Sequence, residues 1–172
     1  MMSEIPVAAS GSHLPMSARL LTFAQLGYAH WLFGNMYEAV VNVPERLASE
    51  PSRPSVLGRG SPLRYYAPVA PITLAATASA VGTGWEMGGA RRWLAMTVGC
   101  EIWGLAITGY LIRTVNLKVI FARVSPPRAE RDALLRRWYR LNLVRMAAAG
   151  GALFAAHRAN RAITTGIARR SA

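Results

Sequence analysis

Charged residues along this chain are spaced so that long uncharged stretches lie between them. Between Arg19 and Glu38 come 18 uncharged residues, 20–37, and between Arg64 and Glu86 come 21, residues 65–85. Arg92 and Arg113 enclose 20 residues, 93–112, with Glu101 the sole charge among them. Arg145 to Arg158 leaves 12, residues 146–157, and starting from Arg140 gives 17 with Arg145 inside. A bilayer-spanning helix needs about 20 mostly apolar residues, with a range of about 17–25. The first three stretches meet this, and the fourth is marginal. A soluble helix of such length carries a charged face, whereas Ile72–Trp85 and Trp93–Ile112 are apolar or small nearly all round. The pattern therefore predicts an all-α, four-helix transmembrane bundle in preference to the core helices of a soluble one.

The expected spans are about 20–43, 66–86, 92–113 and 138–157, within a membrane domain of residues 17–160. Residues 1–16 lack the basic and apolar regions of a signal peptide and are expected to be a flexible tail. Residues 161–172 are expected to be a basic C-terminal tail. Pro44, Pro51, Pro54 and Pro62 with Gly58 and Gly60 mark a loop over 44–64, and Gly88-Gly89 a short turn. Ser125-Pro126-Pro127 stops the third helix and starts the fourth. The fourth opens near Arg128 as an amphipathic extension with Arg131, Arg136, Arg137 and Arg140, expected at the membrane surface before the span. Tyr65, Tyr66, Trp85, Trp93, Tyr110, Trp138 and Tyr139 gather near the segment ends, where interfacial aromatics belong.

Composition sharpens this. Of 172 residues, 52% are hydrophobic and 16% charged, which excludes a mostly disordered chain. Length excludes a large two-domain enzyme, and the single Cys100 excludes a disulfide scaffold. The net charge of +12 raises nucleic acid as a partner. Yet the bases sit scattered at the ends of apolar segments, and no nucleic-acid-binding motif is present. Anionic lipid headgroups are the better partners for them. Seven bases fall on the terminal side and eleven on the side of the 44–64 and 114–140 loops, so the positive-inside rule leans towards those loops being cytoplasmic. The expected location is a bacterial plasma membrane, and association into a homo-oligomer is compatible with four short spans.

An ionisable group in a bilayer costs at least ~2.5–3.5 kcal/mol at mid-depth, so it is rarely idle. In the first span Asn35, Glu38 and Asn42 are spaced three and four apart and share one expected helix face, with His30 on a nearby flank. In the third, Glu101 shares a face with Thr97 and Thr108, and Arg113 and Asn116 follow near the exit. In the fourth, Trp138, Asn142 and Arg145 share a face that continues into the small run Ala147–Ala152. Arg145 keeps its charge and demands an anion. Glu38 and Glu101 are the acids within the spans, and Arg145 and Arg113 the cations either could face. These groups either line a polar cavity or tie helices together by interhelical hydrogen bonds. No metal is expected: a His30–His157 haem pair is conceivable, but no HxxxH or ExxH spacing occurs. Cys100 reads as a small packing residue.

At three places the chain resembles the anthrone oxygenase-like family of small four-span membrane proteins. These are Asn42-Val43-Pro44, Thr114-Val115-Asn116 and Arg137-Trp138-Tyr139-Arg140-Leu141-Asn142-Leu143-Val144-Arg145, with the Trp-x-x-x-Asn-x-x-Arg spacing the most family-like. The likeness covers roughly residues 20–157, while Glu101 and the Gly34–Glu38 run depart from the pattern. It implies oxidation of an anthrone to an anthraquinone by dioxygen without a recognised metal or flavin.

Such chemistry needs a base, a dry pocket and a group that holds the substrate anion. Glu38 or Glu101, assisted by His30, is then the expected base. Arg145, Asn142 and Asn116 hold the oxyanion, Asn35 adds a polar contact, and Trp138 stacks on the ring of a lipophilic phenolic or polyketide-like substrate. The alternative is a non-catalytic membrane subunit or scaffold, for which a closed Glu–Arg network without a cavity would speak. A small transporter is less favoured by four short spans.

Overall fold

The computed structural model describes residues 15–49, 55–56, 58–59, 61–122, 124 and 126–169. Among these, the chain is all-α. The helices are α1 (Met16–Val40), α2 (Val43–Ser49), α3 (Pro62–Tyr66), α4 (Val69–Gly84), α5 (Gly88–Leu111) and α6 (Arg128–Ala168). Residues Ile112–Ile120 continue α5 as a π-helical segment. Four long helices form the bundle: α6 packs against α5 and α1, and α1 against α4.

Several boundaries differ from expectation, each for a local reason. The first helix stops at Val40, because Asn42 takes a left-handed φ of 53°, a conformation asparagine tolerates better than most residues. Asn42 therefore does not continue the face of Asn35 and Glu38. The expected 44–64 loop contains α2 and the start of α3: Pro44 and Pro62 sit in first turns, where a missing N–H costs nothing. The second segment is divided at Ala67–Pro68, since neither Pro68 nor Pro71 can donate a backbone hydrogen bond to the preceding turn. The turn before α5 is Trp85–Met87, closed by Met87 N–H to the Gly84 carbonyl at 3.1 Å. Gly88 and Gly89 already belong to the helix.

The fourth helix runs unbroken for 41 residues, about 60 Å at 1.5 Å per residue. Its extension does not stand apart from the bundle. Leu134, Leu135 and Trp138 pack on Leu111, Val115 and Val119. Residues 161–168, expected as tail, are its last turns. Residues 1–14, 50–54, 57, 60, 123, 125 and 170–172 lie outside the described residues, and with them most of the expected N-terminal tail.

The interior combines many small side chains with a few large ones, among them Leu21, Tyr28, Leu94 and Leu111. Ala18, Ala24, Ala80, Ala90, Ala155, Ala156 and Ala159 are at most 1% exposed, whereas Phe23, Leu26, Tyr37, Ile72, Ile102 and Trp103 are 59–65% exposed. Among the described residues one helix, Gly88–Ile120, is long and apolar enough to cross a membrane. Helix α4 has 16 residues, about 24 Å, which falls short of the hydrocarbon thickness of about 30 Å.

Among the described glycines the tightest contact is at Gly27, where an added Cβ would stand 1.9 Å from Thr73 Oγ1 and 2.8 Å from Thr73 Cβ. Gly27→Ala is thus expected to push α4 away and to destabilise by about 1–3 kcal/mol. Gly99→Ala, whose Cβ would meet nothing within 4 Å, should be neutral or slightly stabilising through helix propensity. Thermal unfolding of both variants in detergent checks the contrast.

Candidate functional site

Among the described residues, the buried ionisable and amide side chains fall in two groups. The larger lies where α1, α3, the π segment and α6 meet. On α1, Asn35 and Glu38 point inward, three residues apart. On α6, Asn142 and Arg145 do the same, with Trp138 one turn earlier. All five are at most 8% exposed.

Arg145 is the hub. Its Nη2 lies 3.5 Å from Glu38 Oε2, donates to Asn142 Oδ1 at 2.8 Å and also donates to Asn35 Oδ1. Asn142 Nδ2 donates to the Asn35 backbone carbonyl at 3.0 Å. The guanidinium carbon is 5.8 Å from the Trp138 ring centroid, within range of a cation–π attraction. One buried cation thus faces one buried anion, and Glu38, Asn35 and Asn142 all converge on the same Nη2.

From the side, Tyr66 of α3 donates its hydroxyl to Asn35 Oδ1 at 3.3 Å and neighbours Glu38. It can come this near because Gly34 leaves α1 bare: a Cβ there would sit 2.7 Å from the Tyr66 hydroxyl. A cavity of about 290 Å³ opens beside the network. Leu105, Ile112, Ile120 and Pro62 give it apolar walls, and Asn35, Glu38, Asn116 and Arg145 a polar edge, with Trp31 and Trp138 as flat surfaces. Three polar atoms of its lining residues, Trp31 Nε1, Asn116 Oδ1 and Arg145 Nε, are buried with no hydrogen-bond partner. Buried polar groups are normally satisfied, and these three have no partner among the described residues.

Of the residues singled out from the sequence, Glu38, Asn35, Asn116, Trp138 and Arg145 come together at this cavity, and Asn142 braces Arg145. His30 does not join them. It stacks on Tyr65 with ring centroids 4.3 Å apart and meets Tyr66 edge-on at 5.9 Å, so it touches the site through Tyr66. Glu101 belongs to the second group, with Tyr28 and Thr77, whose hydroxyls are 2.7 Å apart. Glu101 Oε1 has no hydrogen-bond partner. Arg145 pairs with Glu38 and not with Glu101, and Arg113 is exposed. Asn42 accepts a hydrogen bond from Tyr139 at 3.2 Å, and Tyr139 also donates to Glu45, which ties α2 to α6.

Sequence reading missed Tyr66, Trp31 and the π segment. Tyr66 was legible only as an interfacial aromatic. The π segment carries Asn116 to the cavity and closes with Phe121 N–H to the Asn116 carbonyl at 2.9 Å. Such windings recur at functional sites, and nothing in Ile112–Ile120 announces one. No family model, curated protein or solved structure matches the chain, so the resemblance to the anthrone oxygenase-like family rests on the three quoted segments alone.

Proposed function

We propose that this chain is an integral membrane protein whose four long helices all lie in the bilayer, and that it is a cofactor-independent oxygenase acting on a lipophilic phenolic or polyketide-like substrate. The membrane part is supported by the outward-facing large apolar side chains and by the Arg–Trp stacks at one end of the bundle. There Arg91 lies over Trp85 at 4.8 Å, and Arg92 and Arg158 each lie over Trp93 at 5.1 Å. These are groups suited to a boundary with anionic headgroups. A plasma membrane is the setting proposed.

The observation that carries the catalytic reading is the cavity beside the Glu38–Arg145 pair, with Asn35, Glu38, Asn116 and Arg145 on its edge. A carboxylate, a fixed cation and a mostly apolar pocket are what oxidation of an acidic ring carbon by dioxygen requires. Glu38 takes a proton from that carbon, and Arg145 and Asn116 hold the charge that moves to the ring oxygen. The carbanion gives one electron to dioxygen, and recombination forms the C–O bond of a peroxide anion. Glu38 returns the proton to give the hydroperoxide. Loss of the second ring-carbon proton with cleavage of the O–O bond then releases water and leaves a carbonyl. A CH₂ group and one dioxygen become a C=O group and one water. Trp138 stacks on the ring, and His30 positions Tyr66.

The same network joins α1 to α6, and in the scaffold reading that is its whole task. The cavity beside the network favours the ligand-binding reading. The test is oxygen uptake by membranes holding the full chain, given anthrone. One dioxygen consumed per anthraquinone formed, above host membranes, is expected. No uptake above host membranes overturns the oxygenase assignment.

A further inference from the structure

The cavity has a neighbour. On the outer side of α3 lies an open groove of about 750 Å³, more than twice the cavity's 290 Å³. Its surfaces are Phe33, Gly34 and Tyr37 of α1 and Tyr65 of α3. Phe33 is 58% exposed, Tyr37 62% and Tyr65 53%. Glu38, Val43, Pro62 and Tyr66 line both spaces, so the two are separated by one layer of side chains. The polar network is on the inner side, and the outer side offers the aromatic rings of Phe33, Tyr37 and Tyr65, with Ser61 and Arg64 also in its lining.

We propose that cavity and groove form one bipartite site for a membrane-resident amphiphile: a polar ring head sits in the cavity against Glu38 and Arg145, and a hydrocarbon tail crosses between α1 and α3 to lie in the groove. The proposal rests on the ligand-binding reading above and names its substrate class as tailed ring compounds. The cavity is small, so a long chain attached to the head has to leave it, and the layer of Val43, Pro62 and Tyr66 that it shares with the groove is one way out. Tyr66 sets the passage, since its ring is held by Asn35 on one side and His30 on the other. The tail contributes location more than affinity. A chain moving from lipid to the groove exchanges one apolar surrounding for another.

Position of the tail is therefore the right readout. Two photoreactive phenols test it with the full chain in lipid nanodiscs: 4-ethylphenol with a diazirine on the ring, and 4-dodecylphenol with a diazirine at the last chain carbon. The ring probe is expected to mark cavity residues such as Trp31, Ile112 and Asn116. The chain-end probe is expected to mark Phe33, Tyr37 or Tyr65, and excess 4-ethylphenol should remove that labelling. If the ring probe marks the cavity while the chain-end probe spreads over lipid-facing residues such as Trp103 and Phe154, the bipartite site is wrong and the cavity reading stands. If the ring probe leaves the cavity unmarked, the cavity reading falls, and the bipartite site with it.

Discussion

Arg145→Met is expected to destabilise the bundle by about 3–5 kcal/mol, the range for breaking a buried ion pair by removing one partner. Methionine fills much of the arginine's volume, so the loss does not come from an empty space. It comes from Glu38, left as a buried charge, and from the Asn35 and Asn142 oxygens that lose their donor. The helices that separate would be α1 and α6. The paired change Glu38→Met with Arg145→Met should recover most of the loss, because an apolar pair of similar volume is often neutral or stabilising. Thermal unfolding of wild type, both single variants and the double variant in one detergent reads this directly. If the double variant is as unstable as the sum of the singles, the two groups do not act as a pair.

The largest effect on turnover is expected at Glu38. Glu38→Gln keeps the shape of the side chain and an oxygen for Arg145, but removes the base. General acid–base groups contribute about 10²–10⁴-fold, and a fall of that size in anthrone-dependent oxygen uptake is expected. Binding of the ring-labelled phenol should persist, since the cavity walls, Trp138 and Arg145 are unchanged. Glu101→Gln, in the separate group near Tyr28 and Thr77, should leave uptake near wild type. Equal losses in both variants would move the base away from Glu38, and no loss in Glu38→Gln would remove it from the reaction.

Much of the helical layout was readable from charge spacing. The uncharged stretches after Arg19 and Arg92 lie in α1 and α5, and Pro126-Pro127 precede α6 as expected. So was the direction of the search for Arg145's partner, since two acids stood within the apolar segments. Which of the two it meets depends on the relative rotation and depth of α1, α5 and α6, and neither spacing nor composition encodes that. The division at Pro68 does not show in charge spacing, because an apolar stretch free of charge can still hold a proline. Tyr66 was hidden for a different reason. Its inward reach depends on Gly34, 32 positions earlier, and no local pattern links the two.

The π winding after Leu111 has one more consequence. Each of its turns takes up an extra residue, so everything from Ile112 onward is rotated in phase relative to an unbroken α-helix. Removing a single residue there would keep the segment's apolarity and charge yet swing Asn116 off the cavity rim. An insertion or deletion before Asn116 would turn Asn116 away from the pocket and Val115 and Val119 away from Leu134, Leu135 and Trp138, so cavity and core are set by the same winding.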